Sequence, residues 1–151
     1  MTRPATGASH HRAPVDPESH AEAFQKTRDA RRSELVEDYV ELIAELIRAE
    51  GEARQVEIAR RLGVAQPTAS KMLRRLSDDG LILQKPYRGI FLTEAGQALA
   101  EECRRRHEIV ESFLRAIGVG AEAARQDAEG IEHHVGPETL EAFRRFVAAS
   151  E

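Results

Sequence analysis

The side chains best suited to chemistry in this sequence are carboxylates and imidazoles that recur at helical spacing. In one segment two acids lie three positions apart, and in a later segment two glutamates and a histidine fall at i, i+3 and i+4. Residues at these spacings share one face of a helix, so each segment can present its donor atoms together. Another histidine stands between an arginine and a glutamate. The six residues are Asp38, Glu41, His107, Glu129, Glu132 and His133.

Four carboxylates and two imidazoles form a ligand set that suits divalent ions of hard to borderline character, such as Mn²⁺ or Fe²⁺. Each piece also has a plainer interpretation, because acid pairs are common on solvated helix faces and a histidine among arginines is often a surface residue. The chain has one cysteine, Cys103, which excludes an intramolecular disulfide and a cysteine-based zinc ribbon. We therefore expect a protein of the reducing cytoplasm.

The charge distribution indicates a second task, the binding of an anion. The net charge of the chain is −4, yet residues 52–91 carry eight lysines and arginines against four acids. That middle segment is therefore +4, and the remainder of the chain is −8. A basic segment between acidic flanks is typical of a nucleic-acid-binding module beside a region whose function uses carboxylates. The longest apolar runs are too short to span a bilayer, so no membrane association is expected.

Residues 55–76 have the pattern of a helix-turn-helix, with a turn at Gly63 and a second helix opened by Pro67. Residues 81–92 predict two short strands around a Pro/Gly turn, which after a helix-turn-helix form a wing. Such a module places polar residues at the start of the second helix against base edges and basic residues against phosphates. The alternative is a solvated helical hairpin whose charges only maintain solubility. The predicted DNA-binding residues are Gln66, Pro67, Thr68, Ser70, Lys71, Arg74, Arg75, Lys85 and Arg88.

Helices are expected to position these two sets of residues. Asp16-Pro17 is a good helix start, and a wide apolar stripe at 3.6 spacing runs from Ser33 until Gly51 ends it. A long helix is predicted from Thr93 to about Ile117. Two further helices are predicted over residues 121–135 and 137–149, separated by Gly-Pro. The metal-type residues after position 128 are thus expected on the first of these two.

Three segments in this order resemble the manganese-regulator branch of the diphtheria-toxin-repressor family. They are LVEDYVELI at 35–43, VAQPTASKML at 64–73 and DAEGIEHH at 127–134, joined by Arg88-Gly89 and Arg106-His107-Glu108. The resemblance implies a mainly α fold, with an N-terminal winged helix-turn-helix and a helical metal-binding and dimerisation region. It also implies that the six residues named first are the metal ligands, for one or two Mn²⁺ per subunit, with Fe²⁺ possible.

The resemblance implies a homodimer that binds double-stranded operator DNA and represses manganese transport genes, rather than an enzyme. The domains expected are a flexible extension over 1–28, the winged helix-turn-helix over 29–92 and the helical region over 93–151. Three alternatives stay open. The first is an iron-responsive regulator of the same family. The second is a carboxylate-bridged metalloenzyme, which needs an open coordination position and a substrate pocket. The third is a winged-helix sensor of small organic ligands, which needs an apolar cavity.

Overall fold

A computed structural model describes residues 15–151, which form six helices and one two-stranded antiparallel sheet. This confirms the predicted mainly α fold with a winged helix-turn-helix. The elements in chain order are α1 (Pro17–Glu50), α2 (Gln55–Leu62), α3 (Gln66–Asp78), β1 (Ile82–Lys85), β2 (Gly89–Leu92), α4 (Glu94–Ala116), α5 (Ala121–Ile131) and α6 (Pro137–Ser150).

One hydrophobic core joins the second half of α1 to the helix-turn-helix and the hairpin. Ile43 and Leu46 of α1 are buried against Ile58 of α2 and against Leu73 and Leu76 of α3. The small residue Ala59 is buried on α2, which packs against α3. Helix α1 is therefore packed into the winged helix-turn-helix and also carries two of the metal-type carboxylates.

The hairpin is fixed to both neighbouring elements. Its register runs from Ile82 opposite Leu92 to Lys85 opposite Gly89. Gly89 has a φ of +87°, and a Cβ at this position would lie 2.7 Å from the carbonyl oxygen of Ala53. Only glycine fits both that backbone conformation and that close approach. The loop that follows α1 thus supports the wing directly.

Helix α4 starts against the first residues of the hairpin. The Thr93 hydroxyl accepts a hydrogen bond from the Gly96 amide at 3.1 Å and donates one to the Gly80 carbonyl at 2.6 Å. A Cβ at Gly96 would lie 2.0 Å from the carbonyl oxygen of Leu81, so the helix and the hairpin touch backbone to backbone. The direction of α4, which carries His107, is therefore set by the winged helix.

A second core holds the C-terminal helices together. Val110 of α4, Ala128 of α5 and Leu140 of α6 are buried in it. Phe113 and Phe143 stack with ring centroids 3.9 Å apart, which adds an aromatic contact between α4 and α6. Helices α5 and α6 both pack on α4.

Two boundaries differ from the sequence-based expectation. Residues 17–28, expected in a flexible extension, are the first part of α1, because no glycine or proline interrupts the chain between Pro17 and Gly51. Residues 1–14 of that extension lie outside the described residues. Helix α5 ends at Ile131 rather than at 135, because the chain must turn before Pro137 starts α6. No helix in residues 15–151 is both long and apolar enough to cross a bilayer.

Candidate functional site

The structure brings the six metal-type residues to one place, where α1, α4 and the end of α5 meet. Asp38 and Glu41 lie on α1, and His107 lies in the middle of α4. Glu129 is in the last turn of α5. Glu132 is the residue that caps that helix, and His133 follows it in the turn. The expectation that the last two belong to the helix is wrong, but the tight turn still directs both side chains at α1 and α4.

The first donor set surrounds His107. Its Nδ1 lies 3.3 Å from Glu132 Oε2 and 3.7 Å from Glu129 Oε1. On the other side of the ring, Nε2 donates a hydrogen bond to Glu111 Oε2 at 2.9 Å. With the proton held on Nε2, the lone pair of Nδ1 faces two carboxylates, and Nδ1 is buried without a hydrogen-bond partner among the described residues. Such a ring is oriented as a metal ligand.

The second donor set surrounds His133, whose side chain is almost fully buried. Its Nε2 lies 3.1 Å from Asp38 Oδ1 and 3.4 Å from Glu132 Oε1. Its Nδ1 donates to Glu37 Oε2 at 2.6 Å. Donor atoms of Glu41, Glu132 and His133 also lie within 4.8 Å of one another. Glu132 is common to both donor sets, so the two sets adjoin.

Electrostatics at the site favour bound positive charge. Glu132 is 0% exposed, and neither of its oxygens has a hydrogen-bond partner among the described residues. Burial, and then the negative charge of Glu41, raise the pKa of Glu132 to about 9. Burial likewise raises the pKa of Glu41. Burial opposes protonation of His133, but hydrogen bonds to Asp38 and Glu37 outweigh it and raise the pKa of His133 to about 10.

These observations test whether a metal ion fits the residues present. Glu41 and Glu132 have orphaned buried oxygens and His107 has an orphaned buried nitrogen, and these atoms belong to two donor sets that share Glu132. A buried carboxylate that lacks a donor is costly unless it is protonated or binds a cation. The raised pKa values show that protons supply the charge in the metal-free protein. The donors therefore fit a divalent cation.

Two residues that orient the histidines of this cluster are not identified by the sequence analysis. Glu37 is buried and accepts hydrogen bonds from His133 and, at 2.7 Å, from Arg106 Nη2. Burial raises its pKa, but the bonds to His133 and Arg106 outweigh this and lower it. Glu111 holds His107 and could have been found, because it lies four positions later on the same helix. Glu37 carries no local signal, since His133 is 96 positions away in sequence.

The cysteine near the site is not among the grouped donors. Cys103 is fully buried one turn before His107, and Arg106 Nη2 lies 3.4 Å from its sulfur. Burial, and then the charges of Glu37 and Glu41, raise the pKa of its thiol. The thiol therefore stays protonated in the metal-free protein, and its sulfur belongs to none of the donor groups within the described residues.

The predicted DNA-binding residues lie on the start of α3, along its outer face and at the wing. All are exposed except Ser70, which is half-buried. None of the five basic ones, Lys71, Arg74, Arg75, Lys85 and Arg88, forms an ion pair within residues 15–151. By contrast, Arg60 and Arg61 on α2 both bind Glu57. Within the described residues, the basic side chains of α3 and the wing are thus free of the ion pairs that engage Arg60 and Arg61.

Two family models cover most of the chain. The iron dependent repressor N-terminal DNA binding domain matches residues 33–90. The iron dependent repressor metal binding and dimerisation domain matches residues 93–151. The first match contains the helix-turn-helix and Asp38 with Glu41. The second contains the other four residues of the metal-type cluster.

Curated proteins and solved structures agree with these matches. Transcriptional regulator MntR of Escherichia coli O157:H7 is 60% identical over 132 residues, which cover 87% of this chain and 85% of that protein. HTH-type transcriptional regulator MntR of Bacillus subtilis (strain 168) is 42% identical over 100 residues, covering 66% and 70%. The structure of the manganese regulator SloR superposes with a TM-score of 0.65 at 31% identity, covering 75% of this chain. This chain spans about half (53%) of the SloR chain.

Proposed function

The chain belongs to the iron dependent repressor family, and from this premise we propose that it is a manganese-responsive repressor that binds operator DNA as a homodimer. It is a metal-dependent transcriptional repressor, because both of its domains and its relatives are of that kind. Those relatives are regulators and not enzymes, which leaves the metalloenzyme alternative without support. The observation that carries the manganese assignment is the convergence of six oxygen and nitrogen donors around Glu132 and His133.

Manganese is the proposed effector because of the donor chemistry. The proposed ligands are Asp38, Glu41, His107, Glu129, Glu132 and His133. Carboxylates and imidazoles suit Mn²⁺, whereas thiolates favour softer metals, and the sulfur of Cys103 is in none of the donor groups of the described residues. The relatives named for manganese support the same choice. Fe²⁺ is the alternative, since it accepts the same donors.

Two ions per subunit are supported by the adjoining donor sets. One set contains His107, Glu129 and Glu132, and the other contains Glu41, Glu132 and His133. Asp38 reaches the second set through its contact with His133. Divalent cations held there supply the positive charge that protons provide in the metal-free protein.

The ligands connect two parts of the fold that otherwise meet mainly through α4. Asp38 and Glu41 belong to the helix that is packed into the DNA-binding core. Glu129, Glu132 and His133 belong to the end of α5, which packs on α4. Ligands shared between α1 and this end of α5 therefore fix the winged helix relative to the dimerisation helices. In a dimer this sets the distance between two recognition helices, which must match half-sites about one helical turn apart.

The same proposal defines the partner and the location. The partner is double-stranded DNA upstream of a manganese importer gene, and a second subunit supplies the other recognition helix. The residues proposed to read bases are Gln66, Thr68, Ser70 and Lys71, with Arg74, Arg75, Lys85 and Arg88 on phosphates. A repressor acts where the chromosome is, so the protein functions in the cytoplasm.

A metal titration of DNA binding tests this function. A labelled duplex from upstream of a manganese importer gene is titrated with the protein at matched free concentrations of Mn²⁺, Fe²⁺ and Zn²⁺, without oxygen. The proposal expects the tightest binding with Mn²⁺, and binding that Glu122→Gln, an exposed change on α5, leaves unaltered. Equal binding without any metal, or a response to Zn²⁺ alone, would contradict it.

A further inference from the structure

The first half of α1, residues 17–33, has no role in either site described so far, and we call it the α1 arm. Every residue of the arm is exposed except Ala30, which is half-buried. The side-chain hydrogen bonds of the arm stay within it or reach its cap, Asp16. A helical segment of this length is only marginally stable in water unless something packs on it. The arm therefore has a face available for a partner.

One ridge of the arm continues directly into the DNA-binding module. Arg28, Arg32 and Val36 are spaced by four positions and so form one row on the helix. Val36 packs against the core that contains the helix-turn-helix. A cleft of about 220 Å³ begins here, and Arg32 of the arm and Arg75 of α3 both line it. The ridge of the arm thus runs outward from the end of the recognition helix.

The charges at this junction are positive and open to an external anion. Positions 26–32 of the arm carry four basic residues and one acid, Asp29, while the other two acids of the arm, Glu18 and Glu22, lie nearer its start. Arg32 binds Asp29 at 2.8 Å, in a pair that is more than half exposed on both sides and so contributes little. The other carboxylate at the cleft, Glu37, is engaged by Arg106 and His133. Arg75 forms no ion pair within residues 15–151.

We propose that the α1 arm is a second DNA-contacting element, in which Arg28 and Arg32 bind phosphates of the DNA backbone next to the phosphate bound by Arg75. The proposal rests on the proposed function, because it needs α3 to be the recognition helix. Backbone phosphates are the partner that guanidinium groups fit best, and such contacts add affinity without reading sequence. The rival occupant is a second subunit on Phe24 and Leu35, but these exposed apolar residues are about three helical turns apart, with Arg28 and Arg31 between them on that side, and so form no continuous apolar face.

Salt dependence of DNA binding tests the arm. The full chain and the double variant Arg28→Gln with Arg32→Gln are titrated with saturating Mn²⁺ onto two duplexes, one from upstream of a manganese importer gene and one of mixed sequence. Each lost phosphate contact makes the slope of log affinity against log salt less steep by about 0.9, or about 3.6 for a dimer that loses two per subunit. Both duplexes should show this change. Lys26→Gln, on the opposite face of the arm, is the matched control and should change the slope far less.

The outcomes separate the arm from the function it rests on. An unchanged slope for the double variant, or equal changes for the double variant and Lys26→Gln, overturns the proposal. Dissociation of the double variant into monomers in sedimentation assigns the arm to the subunit interface and also overturns it. If Mn²⁺ does not alter the affinity of the parent for the upstream duplex, the proposed function fails. The salt slope on the mixed-sequence duplex still shows whether the arm contacts phosphates, because phosphate contacts do not depend on sequence.

Discussion

Replacement of Glu37 by glutamine should weaken manganese binding although Glu37 is not among the proposed ligands. Its carboxylate accepts a hydrogen bond from His133 Nδ1 at 2.6 Å and another from Arg106 at 2.7 Å. Both bonds end on the same oxygen, Oε2, and a glutamine oxygen in that position is a neutral acceptor, so both bonds lose the strengthening that the negative charge gives them. Loss of a residue that orients a histidine ligand costs about 10- to 100-fold in metal affinity, or about 1.4–2.8 kcal/mol.

The metal-free variant should also lose stability, because the Arg106 side chain is only 17% exposed and no longer faces a carboxylate. We expect a loss of about 1–3 kcal/mol in the free energy of unfolding. Isothermal titration with Mn²⁺ measures the affinity, and circular dichroism with sedimentation checks helicity and the dimer. Glu108→Gln is the matched control, since Glu108 is exposed and pairs only with Arg104 at 3.8 Å. If Glu37→Gln bound Mn²⁺ within twofold of the parent, the orienting role would be refuted.

Three further predictions concern the site, the DNA and the fold. The pKa values of Glu132 and His133 are raised to about 9 and about 10, so both groups hold protons at neutral pH in the metal-free protein. Mn²⁺ binding should therefore release protons and tighten as the pH rises, which titration calorimetry in buffers of different ionisation heat detects; binding without proton release would contradict it. Arg74→Ala should weaken binding to all sequences, whereas Gln66→Ala should lose about 1–3 kcal/mol of discrimination at one base pair. If Gln66→Ala lost the same affinity on specific and random duplexes, the base-reading role of Gln66 would be refuted. Gly96→Ala should cost about 1–3 kcal/mol of stability in chemical denaturation, because its Cβ would lie 2.0 Å from a hairpin carbonyl; an unchanged midpoint would show that α4 is free to move.

The elements of the fold were predictable where the signal was local. The turn at Gly63, the helix opened by Pro67 and the helix capped by Thr93 all appear as expected. The continuity of α1 was also present in the sequence, since residues 18–50 contain neither glycine nor proline. The helix start at Asp16-Pro17 is as predicted, whereas the low apolar content before Ser33 led us to expect a flexible extension up to residue 28, where the structure has helix. Apolar periodicity indicates which face of a helix is buried. It cannot reveal a helical segment that extends beyond the hydrophobic core, because such a segment has no buried face.

The site was predictable only in its ligand-type residues. Spacing on one helix face indicates that Asp38 and Glu41 act together, and the resemblance supplies the rest of the proposed set. The supporting residues depend on contacts between distant segments, as between Glu37 and His133. No local pattern shows that a charged side chain such as Glu37 is buried. That information exists only once α1, α4 and the end of α5 are packed together.

The most direct test of the account is whether manganese controls DNA binding through the residues that join α1 to the other helices. Fluorescence anisotropy of a labelled duplex from upstream of a manganese importer gene is measured against free Mn²⁺ for the parent, His107→Ala and the surface control Glu122→Gln. The account predicts that affinity for the duplex rises with Mn²⁺ in the parent and the control, and that His107→Ala stays dimeric but loses the response. The same manganese dependence in His107→Ala as in the parent would contradict it.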